Sequence, residues 1–413
     1  KLYEKHIFAR TGGTEPPDIF GNKSPKNKTE DYLSHAWLLY KDMKSNGYNT
    51  KHKVSLGSNN LPINGAHRIA CATYLDQNIE FSLNQSKGYS WNFQWFVQNG
   101  FNKEELSSIL KEYILLTLER SAIFILWGPA LRYWDNLQSQ ISKHFNVIGS
   151  VDFSFGTQER LAFQSLVYDI YAHNTSNYVT GMAHIERKLG YLDQSPYFFR
   201  VVVGSLPVNK KENIREKTRH VKEKLRESLS AQICVNNYVT LHASESDIET
   251  YHLAQTILDP FNIASVRRRN YAKPRAVFLE WLSNYKKKLE ILKINPEDCC
   301  IVGSSTLEIE GIRLSTDIDF TTKKSIRASL NKNINNLHEG IDIVKEGYHR
   351  SIYRKNYTDD QLIEDPSLHI RLLGLKFAGL DIVRDRKIYQ QRPKDQLDVE
   401  LIEKYIRDGK LTK

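Results

Sequence analysis

Cys300-Ile301-Val302-Gly303-Ser304, followed about a dozen residues later by Thr316-Asp317-Ile318-Asp319-Phe320, decides how the last third of this chain folds. The first stretch reads as a strand that ends in Gly-Ser, the second as a strand carrying two aspartates. Side chains two apart on a strand point the same way, so Asp317 and Asp319 share a face. Two carboxylates at one point repel unless a divalent cation neutralises them. Mg2+ (or Mn2+) takes oxygen ligands and shares them with substrate phosphates. Gly303 allows the close backbone approach that a phosphate needs. Ser304 offers a hydroxyl and an amide at the start of the next helix, where anions are favoured. A third carboxylate is expected on a neighbouring strand: Asp342 in Ile341-Asp342-Ile343 is the first candidate and Asp381 in Leu380-Asp381-Ile382 its rival. Together these residues point to metal-assisted, in-line phosphoryl or nucleotidyl transfer, with an NTP as donor.

Gly-Ser, a spacer and Asp-Ile-Asp resemble the signature of the polymerase β-like nucleotidyltransferase superfamily. The tail Arg392-Pro393-Lys394-Asp395-Gln396-Leu397-Asp398-Val399-Glu400, after Gly374-Leu375-Lys376-Phe377, resembles the small minimal-type members, including abortive-infection and LicD-like phosphotransferase relatives. The resemblance covers about a third of the chain and implies a nucleotidyltransferase-fold domain over 275–413. It implies that Asp317, Asp319 and a third aspartate hold the metal and act in catalysis, and that Lys394 and Asp395 support a nucleotide pocket. Read from the residues alone, Lys394, Asp395 and Asp398 equally fit a helix cap with a surface ion pair. Arg313 and Lys376 read as structural or solvated.

A second motif lies near the start of the chain. In Leu61-Pro62-Ile63-Asn64-Gly65-Ala66-His67-Arg68-Ile69 a strand, a tight turn and a helix follow one another, with His67 and Arg68 in the first helical turn beside its unpaired amides. The pattern resembles the (D/N)GxHR box of the ParB/sulfiredoxin-like fold, with Asn64 where an Asp is usual. The resemblance implies a phosphate- or nucleotide-binding domain over 1–93 that uses Asn64, Gly65, His67 and Arg68. The same residues also fit an ordinary Asn-Gly turn with a hydrogen-bonded histidine.

Between these two motifs, residues 94–266 read as a helical connection and an α/β domain of unidentified role. Helices are expected through Trp91 to Gln138, with a break at Gly128-Pro129; the apolar run Tyr113 to Leu131 reads as a buried helix. Strands and helices then alternate: Val147 to Phe153, a helix from about Gln158, Phe198 to Val203, a charged helix from Glu212 to Ser228, and Tyr238 to Leu241. Ser246 and Glu249 form a capping-box pattern. His242, at the end of a strand, reads as a structural histidine ahead of an active-site one. The basic run from Lys210 to Arg226 is interleaved with glutamates and describes an exposed helix with i,i+4 pairs. Arg267-Arg268-Arg269 through Pro274 reads as a linker.

With 413 residues the chain exceeds the size at which one core usually stops growing. Its net charge of +10 raises the local concentration of phosphates but selects none of them. Cys71, Cys234, Cys299 and Cys300 have neither zinc-ligand nor disulfide-framework spacing, which suits a reducing, cytoplasmic compartment. Neither a signal peptide nor a transmembrane segment is expected.

The expectation is therefore an α/β (α+β) multidomain enzyme: a Mg-dependent nucleotidyl- or phosphotransferase acting on a hydroxyl acceptor such as a sugar or surface-glycan precursor. Its partners would be a nucleotide and a small-molecule or glycan acceptor, with nucleic acid not favoured. One alternative is a defence- or toxin-type nucleotidyltransferase that modifies tRNA or protein. The other is a nucleotide-binding, ParB-like regulatory protein with a degenerate transferase domain.

Overall fold

The structure is a computed structural model that describes residues 2–12, 28–172, 178–193, 197–207, 212–233, 239–269, 274–330, 341–343 and 357–407. It mixes helix and sheet and divides into two units, Lys1–Leu106 and Ser107–Lys413. The boundaries read from the sequence at 93 and near 270 both fall inside a unit. Cys234 and residues 208–211 of the basic run lie outside the described residues.

The first unit contains α1 (Leu2–Thr11), α2 (Thr29–Asn46), β1 (Val54–Leu56), β2 (Pro62–Asn64), α3 (Ala66–Tyr74), β3 (Phe81–Leu83) and α4 (Phe93–Gln98). Its sheet runs β2-β1-β3, with β1 antiparallel to β2 and parallel to β3. Asn60 supplies the left-handed position of the turn between β1 and β2, a conformation asparagine adopts readily. Met43, Cys71 and Ala72 bury the contact of α2 with α3. This packing places the start of α3 directly after the Asn64-Gly65 turn.

Helix α5 (Lys103–Leu116) spans the division and leads into β4 (Ser121–Trp127), α6 (Trp134–Ser142), β5 (Asn146–Phe155), α7 (Arg160–Ala172), α8 (Tyr178–Leu192), β6 (Tyr197–Ser205), α9 (Ile214–Ile233), β7 (Leu241–Ala243), α10 (Asp247–Ile257) and α11 (Pro260–Arg267). The sheet has the order β5-β6-β4-β7 and is antiparallel throughout. The apolar run read as a helix from 113 to 131 instead splits into the end of α5 and the strand β4. All seven residues of β4 are buried, because helices cover both faces of the sheet. A strand buried on both faces shows no alternation and cannot be told from a buried helix by periodicity. The basic run is not simply a solvated face. Ile214, Val221, Leu225 and Leu229 of α9 join the core, Arg215 reaches Asp247 and the carbonyls of Leu118 and Ser121, and Arg226 bonds the Leu241 carbonyl.

The rest of the second unit adds α12 (Ala276–Ile291), β8 (Cys299–Val302), α13 (Ser304–Ile309), β9 (Ile318–Thr322), α14 (Lys324–Leu330), β10 (Ile341–Ile343), α15 (Asp359–Glu364), β11 (His369–Leu372), β12 (Leu375–Ala378), α16 (Leu380–Gln390) and α17 (Pro393–Tyr405). Its mixed sheet runs β10-β9-β8-β12-β11. Leu373 and Gly374 both take positive φ, which gives the two-residue hairpin between β11 and β12 the twist of its strands. Cys300, Val302, Leu307, Ile382, Val383 and Ile402 pack α13, α16 and α17 onto one face, and Tyr285 of α12 packs edge-on against Phe320.

The two sheets belong to one unit because polar groups tie them together. Asp169 of α7 accepts from Arg269 at 2.7 Å and from the Leu373 amide at 3.1 Å, while Asn262 accepts from the Arg371 amide at 2.8 Å. Arg267 belongs to α11 and bonds Glu159, and the Arg269 side chain is fully buried, so the expected linker begins no earlier than residue 270. Residues 270–273 lie outside the described residues.

Candidate active site

Strand β9 alternates as the sequence requires: Ile318 and Phe320 are buried, and Asp319 between them is partly open. Antiparallel pairing places Asp319 beside Val302, the last residue of β8, and parallel pairing on the other edge sets it level with Asp342 of β10. Paired residues of neighbouring strands show their side chains on the same face. Asp342 is exposed between buried Ile341 and Ile343, so the acidic face continues across the strand boundary.

Gly303 makes the turn from β8 into α13 with φ at 72°, a region that favours glycine. A methyl group there would meet Asp319 Oδ2 at 3.2 Å, so the missing side chain leaves the room that this carboxylate occupies. Ser304 Oγ donates to Asp317 Oδ1 at 3.2 Å. Both aspartates are thus gathered at the Gly-Ser turn, one against Gly303 and the other on Ser304.

Residues that the sequence reading passed over hold this turn. The hydroxyls of Ser305 and Ser315 donate to the Asp317 carbonyl at 2.9 and 2.6 Å. Glu308 accepts from the Ser315 amide at 2.7 Å and takes both arms of Arg275 at 2.8 Å. A serine, a glutamate and an arginine scattered over 275–315 carry no local pattern that announces this.

Burial raises the Asp319 pKa above its ordinary value, and the negative charges of Asp317 and Asp342 raise it further; Arg386 and Lys394 pull it back. The three aspartates therefore share one electrostatic field, with two cations at its edge. Asp381 stands in the first turn of α16, off the strands, with Oδ1 3.0 Å from where a Cβ on Gly379 would lie.

The tail is built inward. Asp395 and Asp398 are buried, not surface acids. Asp395 accepts from Arg392 Nε at 2.5 Å and pairs with Lys387 Nζ at 3.2 Å. Asp398 pairs with Lys387 at 2.5 Å and with both arms of Arg313. Burial opposes ionisation of both acids, yet Arg392 and Lys387 hold Asp395, and Arg313 and Lys387 hold Asp398, below the usual carboxylate value. This network fixes the start of α17, where Lys394 is exposed near Asp319. Lys376 is buried, with Nζ on the carbonyls of Glu297 and Ile363 at 2.6 and 2.9 Å.

In the first unit Gly65 has φ at 97°, and a Cβ there would meet Val54 at 3.1 Å, so the Asn64-Gly65 turn needs its glycine. Asn64 Oδ1 accepts from the Gly65 amide at 2.7 Å. His67 hydrogen-bonds the Tyr3 hydroxyl, and Arg68 donates to the carbonyls of His52 and Lys53, the latter at 3.1 Å. The four residues of the motif are neighbours, and the two that could meet an anion have protein partners.

Among the described residues no three His, Cys, Asp or Glu side chains are gathered closely enough to hold a metal ion by themselves. Among the described residues no helix is long and apolar enough to cross a membrane. Comparison of the chain with protein-family models, with curated proteins and with solved structures finds no match.

Proposed function

We propose that the second unit is a Mg-dependent nucleotidyl- or phosphotransferase in which Asp317, Asp319 and Asp342 hold the metal and an NTP is the donor to an acceptor hydroxyl. The observation that carries this reading is the level pairing of Asp319 with Asp342, beside the Gly303-Ser304 turn that gathers Asp317. The donor set suits a hard cation: it is all oxygen, and the raised Asp319 pKa marks the repulsion that a cation would relieve. Because no three acids close a cage, water and substrate phosphates would complete the coordination, as is usual for Mg2+. Bound there, the metal would supply charge stabilisation for the transferred group. Lys394 and Arg386, already in the field of Asp319, would face the phosphates, and the buried ion pairs behind Arg392 keep that edge in place. A small acceptor such as a sugar or glycan precursor is favoured over nucleic acid, and a reducing cytoplasmic location agrees with the free thiols Cys71, Cys299 and Cys300.

The test is a screen of the four NTPs with Mg2+ or Mn2+, following pyrophosphate release and the mass of candidate acceptors. Loss of one metal-binding carboxylate removes several kcal/mol of transition-state stabilisation, and about 1.4 kcal/mol is a factor of ten, so Asp319→Ala should lower the rate by roughly a hundredfold or more. Equal rates for that variant and the unaltered chain would end the proposal.

A further inference from the structure

The face of the four-stranded sheet opposite Leu241 and Ala243 holds polar groups that the proposed transferase site does not use. Leu241 and Ala243 enter the apolar core on one side of β7, so His242 between them points to the other side, where α7, α8 and α10 pack. There the Tyr171 ring meets His242 edge-on with centroids 4.9 Å apart and lies 6.3 Å from the Trp127 ring. Lys188 of α8 sets its amine 3.7 Å from the centre of the Tyr171 ring.

Three neighbouring atoms of this group, Trp127 Nε1, Tyr171 Oη and His242 Nε2, are buried and have no hydrogen-bond partner among the described residues. Glu249 lies 3.2 Å from His242 Nε2 without forming a hydrogen bond of acceptable geometry. Lys188 is 8% exposed, and among the described residues its amine has no carboxylate or hydrogen-bond acceptor. Buried polar groups are nearly always satisfied, and an orphan costs about 1–3 kcal/mol, so four together call for a missing partner.

The orphans agree in kind. An indole N–H and an ammonium can only donate, and a phenol and an imidazole can both donate, so what is missing is an acceptor. The charges agree as well. Lys222 pairs with Glu245 and Arg226 holds the Leu241 carbonyl at 2.7 and 2.8 Å, so with Lys188 the corner has three cations against the carboxylates of Glu245 and Glu249. Burial, with Arg226 and Lys222 close by, brings the Lys188 amine down to about 7. A bound anion would reverse that.

We infer that Trp127, Tyr171, Lys188 and His242 form a second ligand site, distinct from the acidic face of β9 and β10, which binds the phosphate group of a small ligand. Phosphate is favoured over a carboxylate because its four oxygens, and up to two charges, match the four donor groups and the surplus cation. The inference stands whether or not the acidic face is catalytic.

The test uses the full chain carrying Asp317→Ala, in EDTA, so that metal-assisted phosphate binding at the acidic face does not contribute. Inorganic phosphate is titrated by calorimetry at an ionic strength held constant with NaCl, with sodium acetate as a parallel titrant. Saturable phosphate binding is expected, with the affinity of that site falling by at least about tenfold on adding Lys188→Met, as loss of a charge-assisted hydrogen bond implies. Tyr171→Phe removes a single oxygen and should weaken the same site even if Lys188→Met does not fold. No saturable phosphate binding in the parent, or binding unchanged in affinity and stoichiometry in the variants, would overturn the site. Saturation by acetate but not by phosphate would overturn the choice of ligand.

Discussion

Asp319 of β9 and Asp342 of β10 stand level on two parallel strands, both facing away from the buried isoleucines and phenylalanine that flank them. Like charges directly opposite each other on a sheet are destabilising, so this pair works against the fold that carries it.

The metal-free protein should therefore gain stability when one of these charges is removed. The Asp319 pKa is raised, so the native state keeps its proton longer than the unfolded chain does. By linkage, stability falls as pH rises from the ordinary value of 3.8 to the higher folded value and stays lowered above it. Asp319→Asn should melt higher than the unaltered chain at neutral pH in EDTA. Mg2+ should narrow or reverse the difference, since only the carboxylate gains from the cation. Thermal melts with and without Mg2+ check this. A variant that melts lower in EDTA would show that Asp319 is held by favourable contacts instead.

The buried acids of the tail should behave in the opposite way. Asp395 and Asp398 are held below 3.8 by Arg392, Arg313 and Lys387 against the cost of their burial. Their contribution is present above that value and is lost as pH falls through the lower folded pKa values. Asp398→Ala would leave Lys387 and Arg313 short of a buried partner and should cost about 3–5 kcal/mol at neutral pH. Urea unfolding of the variant checks the loss. A cost below about 1 kcal/mol would mean that the pairs behave like exposed ones.

The central pairing was legible because strand alternation is local: Asp317-Ile318-Asp319 and Ile341-Asp342-Ile343 announce their faces without reference to the rest of the chain. So did the strand β1 and the caps on α3 and α10, where turn residues and Ser246 act over three or four positions. Strand β4 was hidden because burial on both faces erases the alternation that marks a strand. Glu308, Ser315 and Arg275 were hidden for another reason: their roles exist only once a loop has closed on them. Asp398 read as a surface acid because its partner Arg313 lies 85 residues away. Long-range ion pairs leave no mark on the sequence around either partner.

The Asn64-Gly65-Ala66-His67-Arg68 motif gives a prediction in which stability and binding separate. Arg68 donates to the carbonyls of His52 and Lys53, which brace the chain just ahead of β1. Hydrogen bonds from a charged donor contribute about 1.5–3 kcal/mol, so Arg68→Ala should destabilise the first unit by roughly that amount. Unfolding followed by hydrogen exchange at the amides of β1 and α3 measures it. Calorimetry with inorganic phosphate then reports separately on the binding role. A lower phosphate affinity at full stability would show that the guanidinium leaves those carbonyls for a ligand.

The pair of Asp169 with Arg269 offers the sharpest test of how the second unit is held together. Asp169 sits on α7, packed against the four-stranded sheet, and also accepts the Leu373 amide in the hairpin of the five-stranded sheet. Arg269 donates in turn to Ser165 at 2.7 Å and to the Arg371 carbonyl at 3.2 Å. Every group in this knot is buried, so removing one charge strands the other out of water. Asp169→Ala should cost about 3–5 kcal/mol, and the double change with Arg269→Met should recover part of that loss, because an absent pair is better tolerated than a broken one. If the two sheets unfold together, one urea transition should move as a whole in the single variant. Two separated transitions already present in the unaltered chain would show that each sheet carries its own stability and that the pair does not couple them.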